Sequence, residues 1–307
     1  MSRKQNLIIS RKSLKYGLSS VFFGLLFSVC GMIFGQEERY DLWPGLAPGE
    51  TEKAANQESS PGSAQRVTNP YLLVFRPQEK KSDTCLLLFP GGGYSSCFYG
   101  NEGFPNAQYW NEKGITAIVL VYRVPRAPGK EYYRPAWQDA QRAIRFVRAN
   151  AETFGINPDK IGVQGFSAGA HLTLLSALNS QTPAYEPIDD LDKVPCHLNF
   201  AIPIYPPYVL DDGDGEPNSR KGNDASMLDT FRFDEKTPPL CLIHGDDDIY
   251  SPMASVQLYH KLRTMNIPCE LHIYAKTIHG FMFWNDLENA RTWQDRCFAW
   301  LKTMELY

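Results

Sequence analysis

The sequence carries no excess of basic charge: 31 lysines and arginines stand against 34 aspartates and glutamates, for a formal net charge of −3. No basic stripe occurs beyond residue 35, so a polyanion such as nucleic acid is not an expected partner. Histidine is scarce, with 6 in 307 residues. No two of them stand at metal-ligand spacing, and no zinc site is expected. No Cys-x-x-Cys pair is present among the 7 cysteines, and their spacing is irregular, so no disulfide framework is expected. Cys85, Cys241 and Cys269 instead fall within or beside predicted buried strands, where a free thiol behaves as a small hydrophobe. Internal repeats and low-complexity tracts are also missing, which points to one domain.

What is present begins with a leader. Arg3, Lys4, Arg11, Lys12 and Lys15 precede an apolar stretch from Leu18 to Phe34, and small residues close it at Gly35. Residues 1–35 read as a signal peptide of an exported, periplasmic or secreted protein, an uncleaved N-terminal anchor being the alternative. Cys30 follows Val29, a poor fit to a lipoprotein cleavage site. Residues 36–65 are rich in Pro, Gly and polar side chains and read as an extended arm with little regular structure.

From residue 66 to 307, strand and helix patterns alternate. The strand candidates are Tyr71–Phe75, Cys85–Phe89, Ile115–Val121, Lys160–Phe166, Leu198–Tyr205, Leu240–His244 and Cys269–Tyr274. The middle ones are unbroken apolar runs, as parallel strands buried on both faces require. The helix candidates are Asn106–Lys113, Pro135–Ala149, Ala170–Leu178, Met253–Met265 and Asn285–Leu301. The alternation predicts an α/β fold, a doubly wound, mostly parallel sheet flanked by helices. Residues 179–197 and 206–238 break the pattern and read as loops or small cap insertions.

The chemistry concentrates at four predicted strand ends, where such sheets bind ligands. After Lys160–Phe166 comes Gly165-Phe166-Ser167-Ala168-Gly169, a G-x-S-x-G pentapeptide between strand and helix. That context makes Ser167 a candidate nucleophile on a strained turn, with Ala168 N–H free at a helix N-terminus. After Cys85–Phe89 comes Pro90-Gly91-Gly92-Gly93-Tyr94, whose glycines let backbone N–H groups face a ligand. Acyl transfer needs such donors for its oxyanion, each worth roughly 3–4 kcal/mol. A phosphate loop is the rival reading, but no Gly-Lys-Ser/Thr follows. After Leu240–His244 come Asp246, Asp247 and Asp248, any of which suits a carboxylate that orients an imidazole; turn hydrogen bonds, a helix cap or a metal are the rivals. After the last strand, His279 beside Gly280 is free to reach sideways as a general base. Among the other histidines, His171 lies one helical turn after Ser167 and reads as a packed, hydrogen-bonded residue beneath it. His244 and His272 read as structural, His260 as exposed, and His197 as a loop residue. The run Asp211-Asp212-Gly213-Asp214-Gly215-Glu216 reads as a solvated acidic loop rather than a calcium site.

From about Val67 onward the chain resembles the exported bacterial α/β-hydrolases of the acetyl-xylan and feruloyl esterase type. The shared landmarks are Pro90 to Tyr94, Tyr122-Arg123, Asp139 to Ala143, Gly165 to Gly169, His244-Gly245 with Asp248, and His279-Gly280-Phe281. The opening Leu42 to Gly49 is also similar. The resemblance implies an α/β-hydrolase fold with Ser167 as nucleophile, Asp248 as acid and His279 as base. It implies an oxyanion hole at the backbone of Gly92, Gly93 and Ala168, and no metal or cofactor. Pro90, Ala170, Ser251 and Thr277-Ile278 depart from the family pattern, and none of them removes a catalytic group.

The expectation is therefore an exported serine esterase deacylating acetyl or feruloyl groups on polysaccharide or oligosaccharide, with no membrane contact beyond the leader. A peptidase or lipase on the same elbow is the alternative, and a non-catalytic carbohydrate-binding protein is a further one. The chain has no room for a propeller, and residues 206–238 are too polar for a long apolar lid.

Overall fold

The computed structural model describes residues 38–129, 131–211, 223–283 and 288–307. The leader at 1–35 and most of the acidic run 211–216 lie outside the described residues. The strands are β1 Glu38–Asp41, β2 Gln57–Ser60, β3 Ser63–Arg66, β4 Tyr71–Phe75, β5 Cys85–Phe89, β6 Thr116–Val121, β7 Ile161–Phe166, β8 Phe200–Ile204, β9 Leu240–Gly245 and β10 Cys269–Tyr274. The helices are α1 Phe104–Glu112, α2 Arg134–Ala149, α3 Ala151–Phe154, α4 Ala168–Leu178, α5 Met253–Thr264 and α6 Trp293–Thr303.

Eight strands form one sheet in the order β1-β4-β6-β5-β7-β8-β9-β10. The pairs β1/β4 and β4/β6 are antiparallel, and every pairing from β6 through β10 is parallel. This is the α/β-hydrolase architecture. Strands β5, β6, β7 and β8 are buried along their whole length, which explains their unbroken apolar runs: helices cover both faces. Helix α2 turns Ala136, Ala140, Ala143, Ile144 and Val147 inward, the one-face spacing its sequence shows.

Three expectations need correction. The segment 36–65, read as an arm with little regular structure, carries three short strands, β1, β2 and the start of β3, with β1 completing one edge of the main sheet. These strands are short and polar, so pairing rather than apolar alternation defines them. The second correction concerns β10, which is only half-buried; as the opposite edge strand it has one neighbour, and Cys269 is partly exposed. The third concerns the last helix, which begins at Trp293 after a short 3-10 turn at Glu288–Ala290.

The N-terminal segment is held by a buried ion pair. Asp139 on α2 is 0% exposed and Arg123, just past β6, is 3% exposed. Arg123 Nε donates to both Asp139 oxygens at 3.0 Å. Trp43 Nε1 donates to Asp139 Oδ1 at 2.8 Å, and Arg123 Nη1 donates to the Pro48 carbonyl at 2.6 Å. One carboxylate thus joins the arm, β6 and α2, with its hydrogen-bonding capacity filled. Removing Asp139 leaves the buried Arg123 guanidinium with only the less buried Glu50, 3.7 Å away, as counter-charge. Asp139→Ala is expected to lower unfolding stability by about 3–5 kcal/mol in urea titrations.

Candidate active site

Strand β7 runs into Ser167, whose φ of +51° lies in the left-handed region that serine rarely occupies. The turn is possible because its glycines let backbones meet. A Cβ on Gly165 would stand 2.2 Å from the Gly169 carbonyl oxygen, and one on Gly169 would stand 1.9 Å from the Phe89 carbonyl oxygen. Ser167 N–H donates to Ile204 O at 3.1 Å, while the Ser167 carbonyl accepts from Ala170 and His171 N–H at 2.8 and 3.0 Å. The backbone is satisfied on both sides, and the hydroxyl is left projecting.

Ser167 Oγ lies 2.8 Å from His279 Nε2. His279 Nδ1 lies 3.0 and 2.9 Å from the two Asp248 oxygens. A carboxylate only accepts, so the proton sits on Nδ1, and Nε2 presents its lone pair to the serine hydroxyl. The imidazole is held between the rings of Tyr205 and Tyr250, at centroid distances of 4.9 and 4.8 Å.

The three adjacent aspartates separate cleanly. Asp246 and Asp247 are exposed, whereas Asp248 is buried, 2% accessible, and also accepts Tyr250 N–H at 2.8 Å. Next to it, His244 Nε2 donates to the Tyr250 carbonyl at 3.2 Å, and its Nδ1 lies 2.8 Å from Ser255 Oγ. Burial pushes its pKa down to about 4.

The glycine loop after β5 lies alongside. Gly92 and Gly93 have φ of +124° and +62°, and a Cβ on Gly92 would stand 2.2 Å from the Ser96 carbonyl oxygen. Among the described residues, no acceptor takes the N–H of Gly92, Gly93 or Ala168. His171 is 2% exposed, with Nδ1 2.8 Å from the Tyr94 hydroxyl. Burial drops its pKa to about 3. It also borders a cavity of about 1150 Å³ that Tyr208 and Tyr250 line on the His279 side.

Four neighbours of this site escaped sequence reasoning: Glu102, Tyr205, Tyr208 and Tyr250. Tyr250 alone had a visible signal, standing two residues after Asp248 in the same turn. Away from the site, Cys241, Glu270 and His272 bring ligand atoms within 4.8 Å of one another across β9 and β10, a meeting that residue spacing did not reveal. His272 Nε2 and Glu270 Oε1 are already 2.7 Å apart and satisfy each other.

A family model described as BD-FAE matches residues 72–229. An acetylxylan esterase of Xylanibacter ruminicola is 30% identical over 239 residues, which are 73% of this chain and 45% of the relative. An endo-1,4-beta-xylanase B of Butyrivibrio fibrisolvens is 26% identical over 71% of this chain and 35% of its own. The chain therefore spans less than half the length of these curated relatives. Among solved structures, an acetyl ester-xyloside bifunctional hydrolase from Caldicellulosiruptor lactoaceticus superposes with a TM-score of 0.67 at 26% identity, covering 88% of this chain and 97% of that one. A thermophilic esterase of Thermogutta terrifontis gives a TM-score of 0.64 at 21% identity, covering 88% and 95%; at that identity the likeness is one of fold.

The buried imidazoles make stability pH-dependent. Between pH 6.5 and about 3 the unfolded chain protonates His171 and the native chain does not, so stability falls as pH falls. His244 acts in the same direction down to about 4. Glu102, raised to about 7 by burial, acts oppositely between about 7 and 4.5. Comparing variants isolates one group: the stability of His171→Gln is expected to fall less steeply than wild type, by about 1.4 kcal/mol per pH unit, in urea titrations from pH 6 to 4.

Proposed function

The chain belongs to the BD-FAE family of α/β-hydrolases, and on that premise we propose that it hydrolyses carboxylic esters through Ser167, His279 and Asp248. The observation that carries this reading is the continuous contact Ser167 Oγ to His279 Nε2 at 2.8 Å and His279 Nδ1 to Asp248 at 2.9 Å. Ser167 Oγ attacks the ester carbonyl carbon as His279 Nε2 takes its proton. The carbonyl oxygen becomes an oxyanion, for which the unpartnered N–H groups of Gly92, Gly93 and Ala168 are the donors. His279 then gives its proton to the departing alcohol oxygen, leaving an acyl-serine. Water then takes the place of the departed alcohol: its oxygen bonds to the acyl carbon as His279 Nε2 takes its proton, and the tetrahedral intermediate expels Ser167 Oγ, which recovers that proton as the carboxylic acid leaves. Asp248 holds the imidazole tautomer and stabilises its charged form.

The proposed substrates are acyl groups, acetyl or feruloyl, on poly- or oligosaccharide. Two observations support this: two similar proteins have names that refer to xylan, and the adjoining cavity of about 1150 Å³ is walled by Tyr132, Tyr208 and Tyr250. Aromatic faces suit both sugar rings and aryl acyl groups. The basic and apolar leader at residues 1–35 supports export.

With a chromogenic acetate, Ser167→Ala is expected to reduce kcat by roughly a millionfold. Asp248→Asn is expected to reduce it by about 10⁴-fold, while Asp246→Asn and Asp247→Asn stay near the wild-type rate. A wild-type rate for Ser167→Ala would sink the assignment.

A further inference from the structure

Glu102 lies in a single π-helical turn, Tyr99–Gly103, and is 2% exposed. No cation among the described residues pairs with it. An isolated buried carboxylate is costly, and an apolar side chain of similar volume would serve stability better. Its two oxygens are nevertheless both engaged. Oε2 accepts the N–H of Gly91, and Oε1 accepts the Tyr205 hydroxyl at 3.2 Å.

Both donors belong to walls of the candidate site. Gly91 opens the glycine loop and is wedged in place. A Cβ built on it would stand 2.9 Å from Glu102 Oε2, 2.9 Å from the Phe166 carbonyl oxygen and 3.0 Å from Ser167 Cβ. Tyr205 directly follows β8 with φ of +42°, and its ring packs against His279. A rotation of the Gly91 peptide would carry the next two amides with it, away from Ser167.

We infer that Glu102 is a positioning residue, a carboxylate that braces the Gly91–Gly93 loop on one side and the Tyr205 wall of His279 on the other. It touches no reacting atom; it sets where the amides of Gly92 and Gly93 stand relative to Ser167 Oγ. Burial raises its pKa to about 7, against the lowering effect of these two hydrogen bonds. The inference rests on the serine-esterase reading above.

The test measures kcat and KM on a chromogenic acetate, the rate of Ser167 phosphonylation by a fluorophosphonate, and thermal unfolding. Glu102→Leu removes both acceptors. It is expected to lower kcat by about 100-fold, as for a misplacement of about 1 Å, with KM held within about threefold and phosphonylation slowed in parallel. Glu102→Gln keeps an acceptor for Gly91 and is expected to recover most of kcat. Should Glu102→Leu fail to fold, Glu102→Asp withdraws the carboxylate by one methylene and is expected to lose kcat by about tenfold. A folded Glu102→Leu or Glu102→Asp with wild-type kcat, a loss expressed in KM alone, or equal losses in the Gln and Leu variants each overturns the inference. Full turnover and labelling in Ser167→Ala overturns the serine reading, and this inference with it. Loss in Ser167→Ala beside a wild-type Glu102→Leu overturns this inference alone.

Discussion

The site depends on how closely three backbones meet at the end of β7. Gly165 and Gly169 face each other across the turn, and Gly169 presses on the carbonyl of Phe89 at the end of β5. No side chain fits in either gap. That approach brings the Gly91–Gly93 loop beside Ser167 and forces the serine into a left-handed conformation that the surrounding fold must hold. Helix α4, packed on β7 and β8, supplies the support. It is buried all round, and its Thr173 and Ser176 hydroxyls are satisfied by donating to its own Gly169 and Leu172 carbonyls. The strain at one residue is thus sustained by the most deeply buried part of the molecule.

Among the described residues Asp139, Asp248 and Glu102 are buried carboxylates, and each is satisfied in a different way. Asp139 has a guanidinium, an indole N–H and a backbone amide, and it joins the N-terminal segment to the sheet. Asp248 has an imidazole and one amide. Glu102 has an amide and a phenol and, among the described residues, no cation. The first arrangement is suited to fixing structure, because the carboxylate is paired with a guanidinium and hydrogen-bonded by separate parts of the chain. Asp248 faces His279 directly, whereas Glu102 holds Gly91 and Tyr205 beside the residues proposed to react.

The edges of the sheet show where reading from sequence loses its footing. Glu38–Asp41 contains no apolar run, yet it is a strand because β4 offers it a row of unpaired backbone groups. Cys269–Tyr274 reads as a buried strand but has a neighbour on one side only, so it stays half-exposed. Tyr99–Gly103 has the composition of a loop, and nothing in Tyr-Gly-Asn-Glu-Gly announces a π-helical turn that carries a buried acid. Each outcome is decided by a distant partner.

The chain by itself determined the central strands, because parallel strands covered on both faces must be written as continuous apolar runs. It also determined the elbow, because only glycine-flanked serine between strand and helix makes that turn. Ser167 and His279 were legible as candidates from local context, the serine between its glycines and the histidine beside Gly280 after the last strand. Tertiary structure supplied the physical reason for Asp248, which the family resemblance pointed to and local chemistry did not: of three adjacent, chemically identical aspartates only this one is buried beside His279. It also decided that Glu102 meets Gly91 and Tyr205, since hydrogen bonds between residues on separate loops leave no periodic trace in the sequence.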